Sequence, residues 1–167
     1  MYIRSSPLRT SELAKVYVVL DTKGSTLFGG RIFHPVSGQQ LLFTGVFDFL
    51  RKLEEIYDLH GFPQKTHSIR TFKGLKRDKI NLQRINKDYG TEVLPVMETK
   101  IPNGDQKGKA TFVIKVLFRQ NATWQGKIQW VEENKTQNFR SELEMLKLMD
   151  DAIKMTDEGE DDTAKWE

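Results

Sequence analysis

Cysteine is absent from this chain of 167 residues. That excludes a disulfide scaffold and any thiolate metal site, and it suits a reducing compartment such as the cytoplasm. Histidine is scarce: His34, His60 and His67 are the three present. No carboxylate spacing around them matches a zinc site, so no metal is expected. No stretch approaches the roughly 18 apolar residues of a membrane helix. The start, Met1 to Lys15, has no apolar core of signal-peptide length. Phosphate loops are missing as well. Lys23-Gly24-Ser25-Thr26 puts lysine and serine in the wrong order and lacks the second glycine. With no nucleophile placed beside a base, the expectation is a non-enzymatic protein without cofactor, metal or membrane contact.

Charge of one sign is not in excess overall, since the formal net charge is +3. Its distribution is uneven. Lys65, Arg70, Lys73, Lys76, Arg77, Lys79, Arg84, Lys87 and Lys100 crowd the middle of the chain. Asp157, Glu158, Glu160, Asp161 and Asp162 crowd its end. A basic middle and an acidic tail suggest a surface that faces a polyanion and a terminus that solvates it or competes with it. The plainer alternative is a set of solvated faces.

What the chain does contain is a repetition. Phe28-Gly29-Gly30-Arg31-Ile32 matches Trp124-Gln125-Gly126-Lys127-Ile128, 96 residues further on. The same spacing carries Val16, Val18 and Leu20 onto Phe112, Ile114 and Val116. It also carries Phe43, Phe47, Asp48, Leu50, Arg51 and Leu53 onto Phe139, Leu143, Glu144, Leu146, Lys147 and Met149. An ungapped match of residue class over this length points to internal duplication. Each copy reads as three strands and a helix. Period-two alternation is clear in Phe112 to Arg119 and in Trp124 to Val131. In the helices, Phe47, Leu50, Leu53 and Tyr57 form one apolar stripe, with Phe49 and Ile56 beside it. Leu143, Leu146, Met149 and Ile153 form the other, with Leu148 and Ala152 flanking. Ser141 with Glu144 makes a capping-box pattern.

The expected fold is therefore α+β, with duplicated β-β-β-α repeats, pseudo-twofold symmetry and a shared core, since one copy alone buries too little surface. The organisation divides into an N-terminal arm (1–14), repeat 1 (15–61), a basic and partly helical connector (62–110), repeat 2 (111–155) and an acidic disordered tail (156–167). In the connector, Leu75 to Tyr89 has the pattern of an amphipathic basic helix.

Two surfaces stand out. Lys115, Arg119, Gln125, Lys127 and Gln129 alternate away from the Trp124/Trp130 face, and Arg140 stands beside a helix start. With Lys73, Lys76, Arg77, Lys79 and Arg84 of the connector, they are candidate contacts to DNA or RNA, because cations meet phosphates and amides meet base edges. In repeat 1 the corresponding positions include Tyr17, Val19, Leu27 and Phe33, an apolar set suited to self-association or to another protein.

Trp124, Gly126 and Ile128 in a middle strand, followed by Phe139, Ser141 and Glu144 before a helix, give Phe112 to Ile153 a resemblance to two DNA-binding families. These are the plant ethylene-response-factor type domain and the arm-binding domain of tyrosine recombinases. The resemblance implies a three-stranded sheet laid in the major groove. This chain departs from the plant family's arginine-rich first strand, having Val113-Ile114-Lys115-Val116 there. The stretch Asn121 to Gly126 with Phe139-Arg140-Ser141 is also similar to short bacterial proteins.

Overall fold

A computed structural model describes residues 12–21, 28–66, 70–75 and 108–163. Alternation of apolar and polar residues builds one six-stranded antiparallel sheet from β1 (Lys15–Leu20), β2 (Gly29–His34), β3 (Gln39–Thr44), β6 (Ala110–Gln120), β7 (Thr123–Trp130) and β8 (Lys135–Phe139). The strand order is β3-β2-β1-β6-β7-β8. A two-stranded hairpin, β4 (Arg70–Thr71) with β5 (Gly74–Leu75), stands apart from that sheet. Among the described residues the sheet is joined by two long helices, α1 (Val46–His60) after β3 and α2 (Glu142–Thr163) after β8. The architecture is mixed α+β, and no helix among the described residues is long and apolar enough to cross a membrane.

Both halves run strand, strand, strand, helix, and they meet through β1 and β6, the central pair. Their pairing repeats at the spacing of the sequence match. Val18 opposite Ile32 recurs as Ile114 opposite Ile128, and Leu20 opposite Gly30 recurs as Val116 opposite Gly126. Gly30 opposite Phe43 recurs as Gly126 opposite Phe139. The glycines sit where strands approach closely. A Cβ at Gly30 would overlap the carbonyl oxygen of Val19, and one at Gly126 that of Lys115. Each helix start is also fixed alike. Asp48 Oδ2 accepts the N–H of Thr44 at 3.1 Å, and Glu144 Oε2 accepts that of Arg140 at 2.7 Å.

One core joins the halves. Val16, Val18, Ile32 and Phe43 pack in the same cluster as Phe112, Ile114, Trp124, Ile128 and Phe139, under Phe49, Leu53, Ile56 and Tyr57 of α1 and Met145, Met149 and Ala152 of α2. The helices are turned relative to the expected stripes. Phe47 is 82% exposed and Leu143 62% exposed, while Phe49 and Met145 are fully buried in their stead. Both helices carry a broad apolar arc, and the angle at which each leaves its strand decides which part of the arc meets the sheet. Two further differences concern boundaries. Leu75 lies in β5, so it does not open a helix, and the rest of the expected connector helix falls outside the described residues. Helix α2 continues to Thr163, past the expected start of an irregular tail at 156.

Candidate nucleic-acid interface

The helices cover one face of the sheet, and even-numbered β1 residues point into it: Val16, Val18 and Leu20 are buried. Strand alternation sends Lys15, Tyr17 and Val19 to the opposite, outer face. Cross-strand partners share a face, so the register lays out that surface row by row. One row runs Gln40, Phe33, Tyr17, Val113, Gln129, Thr136 across all six strands. The adjacent row runs Lys15, Lys115, Lys127, Asn138 across β1, β6, β7 and β8. Three lysines thus stand side by side on three neighbouring strands, about 4.8 Å apart by strand spacing. Like charges directly opposite one another destabilise a sheet. Glu12 relieves one of them, holding Lys15 Nζ at 2.9 Å.

Composition reinforces the row. The six strands of the large sheet contain Lys15, Arg31, Lys115, Arg119, Lys127 and Lys135 but no aspartate or glutamate. The described acids lie on the helices or beside the strand ends instead: Asp48, Glu54, Glu55 and Asp58 on α1, Glu142, Glu144, Asp150, Asp151 and Asp157 on α2, and Glu12, Asp21, Glu132 and Glu133 flanking the strands. Much of the helical charge is neutralised locally. Arg51 and Lys52 grip Asp48 at 2.6 Å and 2.9 Å, and those hydrogen bonds hold its carboxyl far below the usual carboxylate range. Hydrogen bonds from Arg140, first from its backbone and then from its side chain, lower Glu144 in the same way.

The structure brings together only part of the expected set. Lys127 is exposed on the outer face, and Lys115, Gln125 and Gln129 are half-buried on it. Gln129 Nε2 donates to Asn134 Oδ1 at 3.0 Å, which ties it to the β7–β8 turn. Arg119 does not belong there. A β-bulge between Val116 and Phe118 shifts the alternation, so Phe118 faces Gln125 and Arg119 faces Trp124. Arg119 is 4% exposed, with Nε donating to Pro63 O at 2.7 Å, Nη1 to Asp58 Oδ1 at 2.6 Å, and its guanidinium 5.6 Å from the Tyr57 ring centroid. It clasps the end of α1 to β6. Arg140 is exposed, but its Nε faces Glu144 Oε2 at 3.5 Å. Lys73 is exposed in the β4–β5 turn. Lys76, Arg77, Lys79 and Arg84 lie outside the described residues.

The apolar set also changes. Tyr17 and Phe33 are directly opposite each other and half-buried. Val19 is 3% exposed, because the backbone at Gly108 lies against it, so it offers no free contact surface. Leu27 falls outside the described residues. The sequence patterning suggested a sticky face on one repeat and a basic face on the other. Pairing of β1 with β6 makes them one continuous surface. Lys15 was missed as a member of it, whereas Arg31 alternates onto the same face as Tyr17 and Phe33. Lys15 reads as the unremarkable start of a strand, and only the β1–β6 register sets it beside Lys115. Arg31 is held to Asp21 by two hydrogen bonds, of 3.1 Å and 2.9 Å.

Elsewhere, His34 and His60 stack with ring centroids 4.2 Å apart. Ser37 N–H donates to His34 Nδ1 at 3.2 Å and His34 Nε2 faces Leu13 O at 3.2 Å, so the ring is neutral with its proton on Nε2. Burial lowers both rings, His60 to about 4, with His34 adding to the effect on His60. A pocket of about 280 Å³ opens between α2 and β7–β8, lined by Phe112, Ile128, Trp130, Lys135, Leu148 and Met155. It lies on the helical side, away from the lysine row. Among the described residues no cluster of His, Asp and Glu could hold a metal ion. Comparison with protein-family models, with curated proteins and with solved structures gives no match. The three strands that carry the resemblance to DNA-binding domains do not form a free-standing sheet here, since β6 is paired on both sides.

Proposed function

We propose that the protein is a non-catalytic nucleic-acid-binding module, acting in the cytoplasm through the outer face of its six-stranded sheet. The observation that carries this reading is the lysine row Lys15–Lys115–Lys127 on a sheet whose strands hold no acid. A row of cations on one face meets the phosphates of a polyanion along its length. Gln125, Gln129 and Asn138 border the row and can offer amide contacts. The reading includes an internal duplication, supported by strand registers, close-approach glycines and helix starts that recur 96 residues apart.

Fluorescence anisotropy with labelled DNA and RNA oligomers at about 50 mM salt, where phosphate contacts contribute strongly, tests the reading. Binding should weaken with a log-log salt slope of roughly −0.9 per duplex phosphate neutralised, or −0.7 on single strands. Replacement of Lys127 by Gln should weaken all sequences alike and reduce the slope by about 1. Absence of binding to every oligomer below ~100 μM would remove it, since even non-specific binders reach that range. Self-association or a protein partner on the same face would then be the better account, favoured by the Tyr17–Phe33 pair and exposed Leu42.

A further inference from the structure

The outer face distinguishes between forms of nucleic acid, and we infer that its ligand is single-stranded, lying across the β-strands with bases on the aromatic row and phosphates on the lysine row. This inference rests on the nucleic-acid reading above and goes further in naming the strand state. Three features carry it. Phe33 and Tyr17 are cross-strand neighbours on β2 and β1, which puts two ring platforms side by side. Bases stack on such rings only when they are unpaired and splayed from their own strand, because a duplex offers side chains its edges and backbone. The lysine row is one same-face step away. Tyr17 and Lys15 are two residues apart on β1, as are Val113 and Lys115 on β6, and Gln129 and Lys127 on β7. Two residues of strand span about 7 Å, roughly the reach from a nucleobase to its own phosphate.

The third feature is shape. The two rows cross the sheet through residues of regular strands, so the surface they form follows the sheet. Groove readers insert a helix or a two-stranded ribbon into the major groove. Here both helices are on the other face, and β6 and β7 are flanked by β1 and β8 instead of standing free as a ribbon. A duplex could meet the lysines but not the rings. A single strand can use both rows, with Gln129 at the end of the aromatic row placed for a base edge and Asn138 at the end of the lysine row placed for a phosphate or sugar.

The deciding experiment compares the full chain with oligomers of about 16 nucleotides, the upper end of site sizes for sheet-based single-strand binders. Single-stranded DNA, single-stranded RNA and the blunt duplex of the same sequence are titrated under one salt condition. Tighter binding of either single strand than of the duplex is expected. Tyr17→Leu and Phe33→Leu should each weaken single-strand binding roughly 5- to 150-fold, the span of one lost stacking contact, and leave duplex binding unchanged. Leucine keeps apolar bulk on the strand, and a circular-dichroism melt of each variant verifies folding. If a leucine variant melts early, amide chemical-shift changes on titrating the unaltered protein decide instead. They should centre on β1, β2, β6 and β7 outer-face residues. Duplex binding equal to or tighter than single-strand binding, or shifts that avoid Tyr17 and Phe33, overturns the inference while the nucleic-acid reading stands. No binding to any of the three overturns both.

Discussion

At the scale of single residues, the fold rests on positions where one atom more or one charge less would break contacts. Gly30 and Gly126 are such positions. Alanine at either would drive a methyl into the carbonyl oxygen of the neighbouring strand, and at Gly126 also against the Phe139 ring. G30A and G126A should each cost roughly 3 kcal/mol, the upper end for overpacking, seen as a lower urea midpoint in equilibrium unfolding. Comparable losses at the two sites are expected if the halves are equivalent; a neutral result at one would count against that equivalence. Arg119 is the second such position. Its guanidinium answers Asp58 and the Pro63 carbonyl from a buried site. Arg119→Met keeps the stem and removes the donors. A loss of about 1–3 kcal/mol is expected, since the carbonyl is left without its donor, with nucleic-acid affinity unchanged at a temperature where the variant is folded. Reduced affinity without reduced stability would return Arg119 to the interface.

At the scale of elements, the two helices begin alike and differ in detail. Helix α2 has Ser141, whose Oγ accepts the N–H of Glu144 at 3.1 Å. Helix α1 has Gly45 there, with φ of 83°, and relies on Asp48 reaching back to Thr44. Loss of the serine cap by Ser141→Ala should cost about 1 kcal/mol, read from the thermal or denaturant midpoint. The exposed pair Phe47 and Leu143 makes the opposite prediction. Substitution of either by Ser should change stability by less than ~0.5 kcal/mol, as at other exposed positions. Had the expected apolar stripes formed the core, the same changes would have cost several times more. The turns are also legible at this scale. Asn121 and Ala122 both have φ of 56°, the conformation of a two-residue hairpin turn that suits sheet twist.

For the whole molecule, acid is the informative variable. Burial holds His34 and His60 neutral in the fold, below the ordinary imidazole value of about 6.5, His60 at about 4. The unfolded chain therefore binds more protons than the folded one between those values. Stability should be complete above about pH 6.5 and should fall as the pH drops toward 4. Asp48 and Glu144, whose carboxyls are lowered by hydrogen bonds, add a second loss at lower pH. Thermal unfolding followed by circular dichroism from about pH 8 to about pH 2 checks both losses, since that interval spans the histidine range and the carboxylate range below it. His60→Phe should flatten the first fall. A flat profile in the parent protein would show that the stacked pair protonates without opening the fold.

The six strands of the large sheet and helix α1 were written in the sequence to within about two residues, because period-two and helical spacings are local properties of the chain; the end of α2 at Thr163 and the β4–β5 hairpin were not. Val46 to His60 was legible as a helix at both ends, and Gly30 and Gly126 were legible as an equivalent pair. The candidate site was only half legible. Lys115, Gln125, Lys127 and Gln129 follow from alternation within one repeat, and Tyr17 and Phe33 from alternation within the other. That they share a surface depends on β1 pairing with β6 across a separation of about 95 residues, which no local pattern encodes. The bulge between Val116 and Phe118 likewise moved Arg119 from surface to core, since one extra residue reverses every later side chain on the strand. Burial of Phe49 over Phe47 was settled the same way, by the direction from which the sheet meets each helix. The sequence by itself determined the six strands of the large sheet and where its two helices begin; tertiary pairing alone decided which of their faces look at one another.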